Sequence, residues 1–169
     1  ENDKTCANSV YGKTKAAGEE NILKFSNNIV IRTSWLYSEF GNNFFKTMHR
    51  LLSEKTEIKI VNDQIGTPTY ATDLARNIFS IIDLSHKNKI GGGIYHFSSE
   101  GIVSWYDFAV EIAKRLNSSC IVHPIPTSEY PLPAPRPPYS VLSKEKIKKL
   151  GLAVPEWKES LDVCFENYK

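Results

Sequence analysis

Seven of the nine prolines in this 169-residue chain fall between Pro124 and Pro138. That density forbids a helix or a central strand there, because each proline fixes φ and removes a backbone donor. The segment has to run as an extended loop tracking the surface, and Arg136 within it has its backbone held by prolines on both sides. From composition alone it reads equally as a plain linker carrying a solvated arginine. The rest of the chain alternates helical and strand signals, which places it in the α/β class. A helix is expected from Tyr11 to about Phe25, with Ala16, Ala17, Ile22, Leu23 and Phe25 as its apolar material. Asn28 to Arg32 then reads as a buried strand of a parallel sheet that delivers Thr33, Ser34 and Trp35 to its C-terminal edge, the edge where open α/β sheets bind ligands.

The spacing predicts a second helix capped by Asn43, with Phe44, Phe45, Met48, Leu51 and Leu52 at helical intervals, and a strand over Glu57 to Val61. Asp63 to Thr69 is marked by Gly and Pro as a loop. Thr72 or Asp73 opens a third helix, with Leu74, Ala75, Ile78, Phe79, Ile81 and Ile82 facing inward. Gly91-Gly92-Gly93 reads as a turn rather than a phosphate cradle, because a strand, Ile94 to Phe97, follows it where a helix N-terminus would be needed. Ser104 and Asp107 match a capping box for a helix running to Leu116, and Cys120 to His123 reads as a strand. Ser143 should begin a short helix stopped near Gly151. Pro155 suits the first position of a last helix through about Tyr168.

The 21 basic and 19 acidic residues give a formal net charge of +2 and are interspersed, so no basic stripe points to nucleic acid. Cys6, Cys120 and Cys164 are odd in number and widely spaced, which argues against a disulfide framework or a zinc site and fits a reducing cytoplasm. His49, His86, His96 and His123 are scattered, without metal-ligand spacing. No stretch approaches the roughly 18 apolar residues of a membrane span, and the first residues are too polar for a signal peptide, so the chain is expected to be neither anchored nor secreted.

Tyr11 and Lys15, four residues apart, share one helix face. A free tyrosine has a pKa of about 10. A fixed positive charge beside it favours the phenolate and makes the phenol a better acid, which is what protonation of a carbonyl oxygen requires. Taken alone, the spacing also describes an ordinary amphipathic helix.

The flanking sequence decides between the two. Val10 to Glu19, Arg32-Thr33-Ser34-Trp35-Leu36-Tyr37, Gly41-Asn42-Asn43-Phe44, Asp63-Gln64-Ile65-Gly66-Thr67-Pro68-Thr69 and Ala134-Pro135-Arg136-Pro137 occur in this order. Together they resemble the dTDP-4-dehydrorhamnose reductase family of extended short-chain dehydrogenase/reductases. The resemblance covers nearly the whole chain but only the C-terminal half, or somewhat more, of such an enzyme. It implies the C-terminal part of a Rossmann-like doubly wound parallel sheet plus a smaller α/β substrate-binding lobe. Residues 1–33 would be the remnant of the dinucleotide-binding domain, and 34–169 mainly the lobe, with 44–62 as a segment that can return to the sheet.

By resemblance the parent enzyme uses NADPH or NADH to reduce the 4-keto group of dTDP-4-dehydro-L-rhamnose, giving dTDP-L-rhamnose. Tyr11 would be the acid, and Lys15 would support it and bond the nicotinamide ribose. Trp35, Asn42, Asn43, Gln64, Thr67 and Arg136 would contact the nucleotide-sugar, with Arg136 as a pyrophosphate clamp. Arg32 reads equally as a structural ion-pair partner. The family's catalytic Ser/Thr and its glycine-rich cofactor turn have no counterpart in this chain, so a truncated product without activity of its own is expected. No protein metal site is read; a magnesium requirement and a homo-oligomer are left open. The rivals are a non-catalytic regulatory subunit on the same fold, like those of methionine adenosyltransferase, and another nucleotide-sugar epimerase or dehydratase.

Overall fold

The computed structural model describes residues 1–7, 9–131, 134 and 136–168; Pro135 of the Ala134 to Pro137 motif lies outside them. The Ser9 hydroxyl accepts the Gly12 N–H at 3.1 Å and so starts helix α1 (Val10–Ile22). The helix stops short of the expected Phe25. Asn28 turns the chain there, its side-chain amide donating to the Ile22 carbonyl at 3.0 Å and its N–H to the Phe25 carbonyl at 3.1 Å. No residue of α1 is buried.

Strand β1 (Ile29–Arg32) follows, then β2 (Leu36–Tyr37) and helix α2 (Phe44–Glu54), which Asn43 caps by accepting the Lys46 N–H at 3.1 Å. Strand β3 (Glu57–Val61) leads into the expected Asp63 to Thr69 loop, which also contains β4 (Ile65–Gly66) and opens into β5 (Thr69–Tyr70). Helix α3 (Ala71–His86) begins earlier than expected, with Tyr70 at the N-cap position and no side-chain cap, so that Asp73 falls inside the first turn, where its carboxylate accepts the Ser160 hydroxyl at 2.6 Å. Strand β6 (Gly93–His96) comes next. The turn before it needs glycine, since a Cβ on Gly92 would lie 2.1 Å from the Ser26 carbonyl oxygen.

Strand β7 (Val103–Ser104) runs into helix α4 (Trp105–Arg115), where Ser104 and Asp107 form the expected capping box. Strand β8 (Ile121–Ile125) extends two residues further than expected, into the proline segment. Pro124 is tolerated because β8 pairs only with β3 among the described residues, leaving it an edge strand. A 3-10 turn over Thr127–Glu129 and helix α5 (Glu145–Lys148) follow. Helix α6 (Trp157–Asn167) starts two residues after Pro155, whose carbonyl is already committed to the Glu100 N–H at 2.8 Å.

Among the described residues the strands form four pairs. β1 lies parallel to β6 with Arg32 opposite His96, β3 parallel to β8, β2 parallel to β5, and β4 antiparallel to β7. The apolar interior is likewise divided. A larger cluster joins α2, α4 and α6 around Tyr37, Phe45, Phe108, Ile112 and Leu161; a smaller one, Ile81, Phe97 and Ile147, packs against Ile29 and Ile31 of β1.

The inward set expected for α3 is only partly right. Ile81 is buried and Leu74 half-buried, but Phe79 is 73% exposed, and Ala75, Ile78 and Ile82 are exposed too. Apolar residues run around more than one face of this helix. The face of Leu74, Asn77 and Ile81 is taken by the small cluster and by the Asn77 amide donating to the Ala153 carbonyl at 3.2 Å. The other face opens beside β1 onto a shallow groove that includes Asn28, Ile29, Ile78 and Ile82.

Candidate functional site

Starting α1 at Ser9 puts Tyr11 in its first turn and Lys15 one turn later, with the ammonium 5.5 Å from the phenol ring centroid. Both are exposed, Tyr11 to 72%. Glu19 continues the same four-residue spacing and is bound by Arg32, Nε to Oε1 at 2.8 Å and Nη2 to Oε2 at 2.6 Å. These hydrogen bonds hold the Glu19 carboxyl below its ordinary range, burial opposing them, and raise the Arg32 guanidinium. Arg32 is the last residue of β1. The helix face of Tyr11 and Lys15 is thereby tied to the C-terminal end of the parallel pair β1 and β6, where open α/β sheets bind ligands.

A second feature lies between α2, β3 and the proline segment. It is a cleft of about 660 Å³, lined by Leu36, Phe44, Met48, Leu51, Ile58 and Ile60, by Lys55, Glu57 and Lys59, and by Gln64, Trp105, Tyr130 and Arg136. That volume is in the range of small-molecule sites. Trp105, the first residue of α4, lies flat on Trp35 with ring centroids 3.6 Å apart and planes 9° from parallel, and Phe44 packs on it at 4.6 Å.

Trp35 has φ of 45°, a left-handed conformation that costs a bulky residue about 1–3 kcal/mol. Its surroundings impose it. The Trp35 carbonyl accepts the Thr69 N–H at 3.1 Å, the Ser34 hydroxyl donates to the Thr67 carbonyl at 3.0 Å, and Gly66 leaves room for the indole, since a Cβ there would sit 2.4 Å from Cε2.

The cleft brings together Gln64 and Arg136 of the residues singled out from sequence, with Trp35 behind it through Trp105. Gln64 is buried and donates its amide to the Thr127 hydroxyl at 3.0 Å, while Arg136 is exposed at the mouth. The other five do not line it. Thr67 is fully buried and gives its hydroxyl to the Gly101 carbonyl at 2.8 Å. Asn43 is used at both ends, as the cap of α2 and in donating to the Ser38 and Phe40 carbonyls at 2.8 and 3.0 Å. Asn42 is exposed in the loop before α2. Tyr11 and Lys15 are on α1, away from the lining set. Sequence reasoning passed over Trp105 and Tyr130; the available signal was a tryptophan directly after a capping serine, where a first-turn side chain has to project to one side of the helix.

A family model described as the RmlD substrate binding domain matches residues 1–169. The spore coat polysaccharide biosynthesis protein SpsK of Bacillus subtilis is 41% identical over 162 residues, covering 95% of this chain and 55% of that protein. A dTDP-4-dehydrorhamnose reductase of Aggregatibacter actinomycetemcomitans is 42% identical over 164 residues, covering 90% and 55%. A crystal structure of the dTDP-4-dehydrorhamnose reductase of Bacillus anthracis in complex with NADP superposes with a TM-score of 0.91 at 38% identity, over 98% of this chain and 58% of that one. The chain thus spans little more than half the length of the relatives it matches.

Proposed function

This chain belongs to the RmlD substrate binding domain family, and we propose that the protein carrying it reduces the 4-keto group of dTDP-4-dehydro-L-rhamnose to give dTDP-L-rhamnose. The observation that supports this reading is the pairing, on one chain, of an exposed Tyr–Lys face at the end of a parallel strand pair with an aromatic cleft that carries a guanidinium at its mouth. The reaction adds a hydride to the carbonyl carbon and a proton to its oxygen. A nicotinamide dinucleotide, NADPH or NADH, supplies the hydride when bound.

Tyr11 gives its phenolic proton to the forming alkoxide, and the Lys15 ammonium beside the ring favours the phenolate left behind. Solvent can restore that proton, because both groups are open to water. The same hydroxyl and ammonium suit the nicotinamide-ribose end of the cofactor. Gly92, packed against the Ser26 carbonyl and leading into a strand, does not suit its pyrophosphate. In the cleft, Trp105 and Tyr130 offer flat aromatic surface and Leu36 an aliphatic contact to the nucleoside, and Arg136, with Lys55 and Lys59 also in the lining, offers cations to the diphosphate. Asn43 and Thr67 contribute by fixing the loops that shape this cleft, Trp35 by backing Trp105, and Asn42 by reaching the sugar from the loop before α2.

Residues 1–33 form part of the dinucleotide-binding half in this reading, and the pairing of β1 with β6 draws β6 and its neighbours α3 and α5 towards that half. Three free cysteines agree with a reducing cytoplasm. No helix among the described residues is long and apolar enough to cross a membrane. The test is NADPH oxidation by the intact protein with dTDP-4-dehydro-L-rhamnose. Tyr11→Phe should lower turnover by about 100-fold to 10,000-fold with little change in substrate affinity. Undiminished turnover in that variant would remove Tyr11 from the chemistry.

A further inference from the structure

Three consecutive residues after β3 hold both feet of the proline segment. At the near foot, Asp63 accepts the Thr127 N–H at 2.9 Å on each carboxylate oxygen and the Thr127 hydroxyl at 2.6 Å, while Gln64 donates to that same hydroxyl at 3.0 Å. At the far foot, the Ile65 N–H donates to the Pro138 carbonyl and the Ile65 carbonyl accepts the Ser140 N–H, both at 2.8 Å. Tyr130 lies three residues past the near foot, at the end of the 3-10 turn, its N–H donating to the Thr127 carbonyl at 3.0 Å. Arg136 lies two residues before the far foot. Both line the cleft; Asp63 and Thr127 do not.

The two feet are held by different means. Backbone pairing of Ile65 secures the one beside Arg136, with the Ser140 hydroxyl adding a bond to the Ile65 carbonyl at 3.2 Å. Before Tyr130, by contrast, backbone pairing with the β3 side ends at Ile125, whose carbonyl accepts the Asn62 N–H at 3.0 Å, and Thr127 itself is held by the side chains of Asp63 and Gln64. Hydrogen bonds to a carboxylate are short and strong, and the Thr127 hydroxyl and N–H account for the low pKa of Asp63. We propose that Asp63 is a positioning residue for nucleotide binding: acting through Thr127, it sets Tyr130 against the cleft, while Arg136 is set independently by the backbone of Ile65. The proposal rests on the reading of this cleft as a nucleoside-diphosphate site. Without the Asp63 bonds, Tyr130 and the turn beneath it would be held less firmly, by Gln64 and the turn's own backbone bonds, and the ordering left to be completed on binding is subtracted from affinity.

Calorimetric titration of the intact protein with dTDP tests this. Asp63→Ala should weaken binding by about threefold to tenfold, the cost of ordering one or two side chains, and Asp63→Asn, which keeps one acceptor oxygen for Thr127, should recover most of the loss. Thr127→Val, which removes the hydroxyl and keeps the branched shape, should reproduce part of it and serves if Asp63→Ala does not fold. In combination, Asp63→Ala with Tyr130→Ala should be no weaker than Tyr130→Ala alone, whereas Asp63→Ala with Arg136→Ala should show the product of the single effects. Multiplying effects of Asp63 and Tyr130, or wild-type binding by both Asp63→Ala and Thr127→Val, would overturn the positioning role and leave the cleft reading standing. If Tyr130→Ala and Arg136→Ala also bind dTDP like the wild type, the cleft reading falls, and the inference with it.

Discussion

Arg32 and Glu19 close the distance between a strand end and a helix with two parallel hydrogen bonds, at 2.8 and 2.6 Å, and with α1 burying no residue of its own this pair is its principal polar tether to β1. The tether depends on charge. Arg32 holds the Glu19 carboxyl below its ordinary range, so the pair contributes stability that is fully present above the unfolded glutamate pKa of about 4.3 and is lost as pH falls through the lower folded value. Glu19→Gln should therefore cost about 1 kcal/mol at pH 7, and its unfolding curve in urea should converge on that of the wild type as the buffer is taken below pH of about 4. A constant gap down to pH of about 2 would mean that the pair is held by packing rather than by ionisation.

Lys15→Met removes the cation beside Tyr11 and leaves the helix intact. Both residues are exposed, so the thermal midpoint should move by no more than a change of about 0.5 kcal/mol implies. Turnover of the intact protein should fall and nicotinamide dinucleotide should bind more weakly, which fluorescence titration would record. Loss of stability in place of loss of affinity would count against the assignment.

Gly66→Ala should be felt at the paired indoles. The new methyl would meet Trp35 Cε2 at 2.4 Å and Ser140 Oγ at 2.7 Å, an overpacking that costs about 1–3 kcal/mol in a close-packed interior. Chemical unfolding should show that loss together with weaker dTDP binding, because the Trp35 ring can move only by leaving Trp105.

Phe108 is fully buried, in edge contact with Tyr37 and Trp157 and stacked with Phe44. Phe108→Ala should destabilise the chain by about 3–5 kcal/mol, read from the urea midpoint. It joins the interior to the cleft wall through Phe44, so ligand affinity should drop even at temperatures where the variant remains folded.

Much of this was legible from local chemistry. The Ser104 and Asp107 box, the Asn43 cap and the β1 strand each follow from residues within a few positions of one another, and all appear in the structure. Of the proline segment, Pro124 lies in strand β8 and Thr127–Glu129 form a 3-10 turn where the sequence pattern predicts an extended loop. What local pattern could not supply was the choice among partners. Asp73 looks like a helix cap and is taken by Ser160, 87 residues later; Pro155 looks like a first helical residue and is taken by Glu100. Thr67 and Gln64 sit in the same loop, yet one points into the interior at Gly101 while the other borders the cleft. Trp105 escaped notice because its importance is its contact with Trp35, 70 positions earlier in the chain. The inward set of α3 was overcounted for a related reason: helical periodicity gives the faces of a helix but not which of them the described fold covers.

Two of the three tryptophans therefore share one stack, and the third, Trp157, is buried in the core against Phe108. Indoles held face to face at 3.6 Å couple their electronic transitions, so the near-ultraviolet circular dichroism of this chain carries a paired signal originating at the wall of the cleft. A ligand that slides or parts the rings changes that signal, while one bound elsewhere leaves it alone. The molecule is its own optical gauge of occupancy, with no label attached.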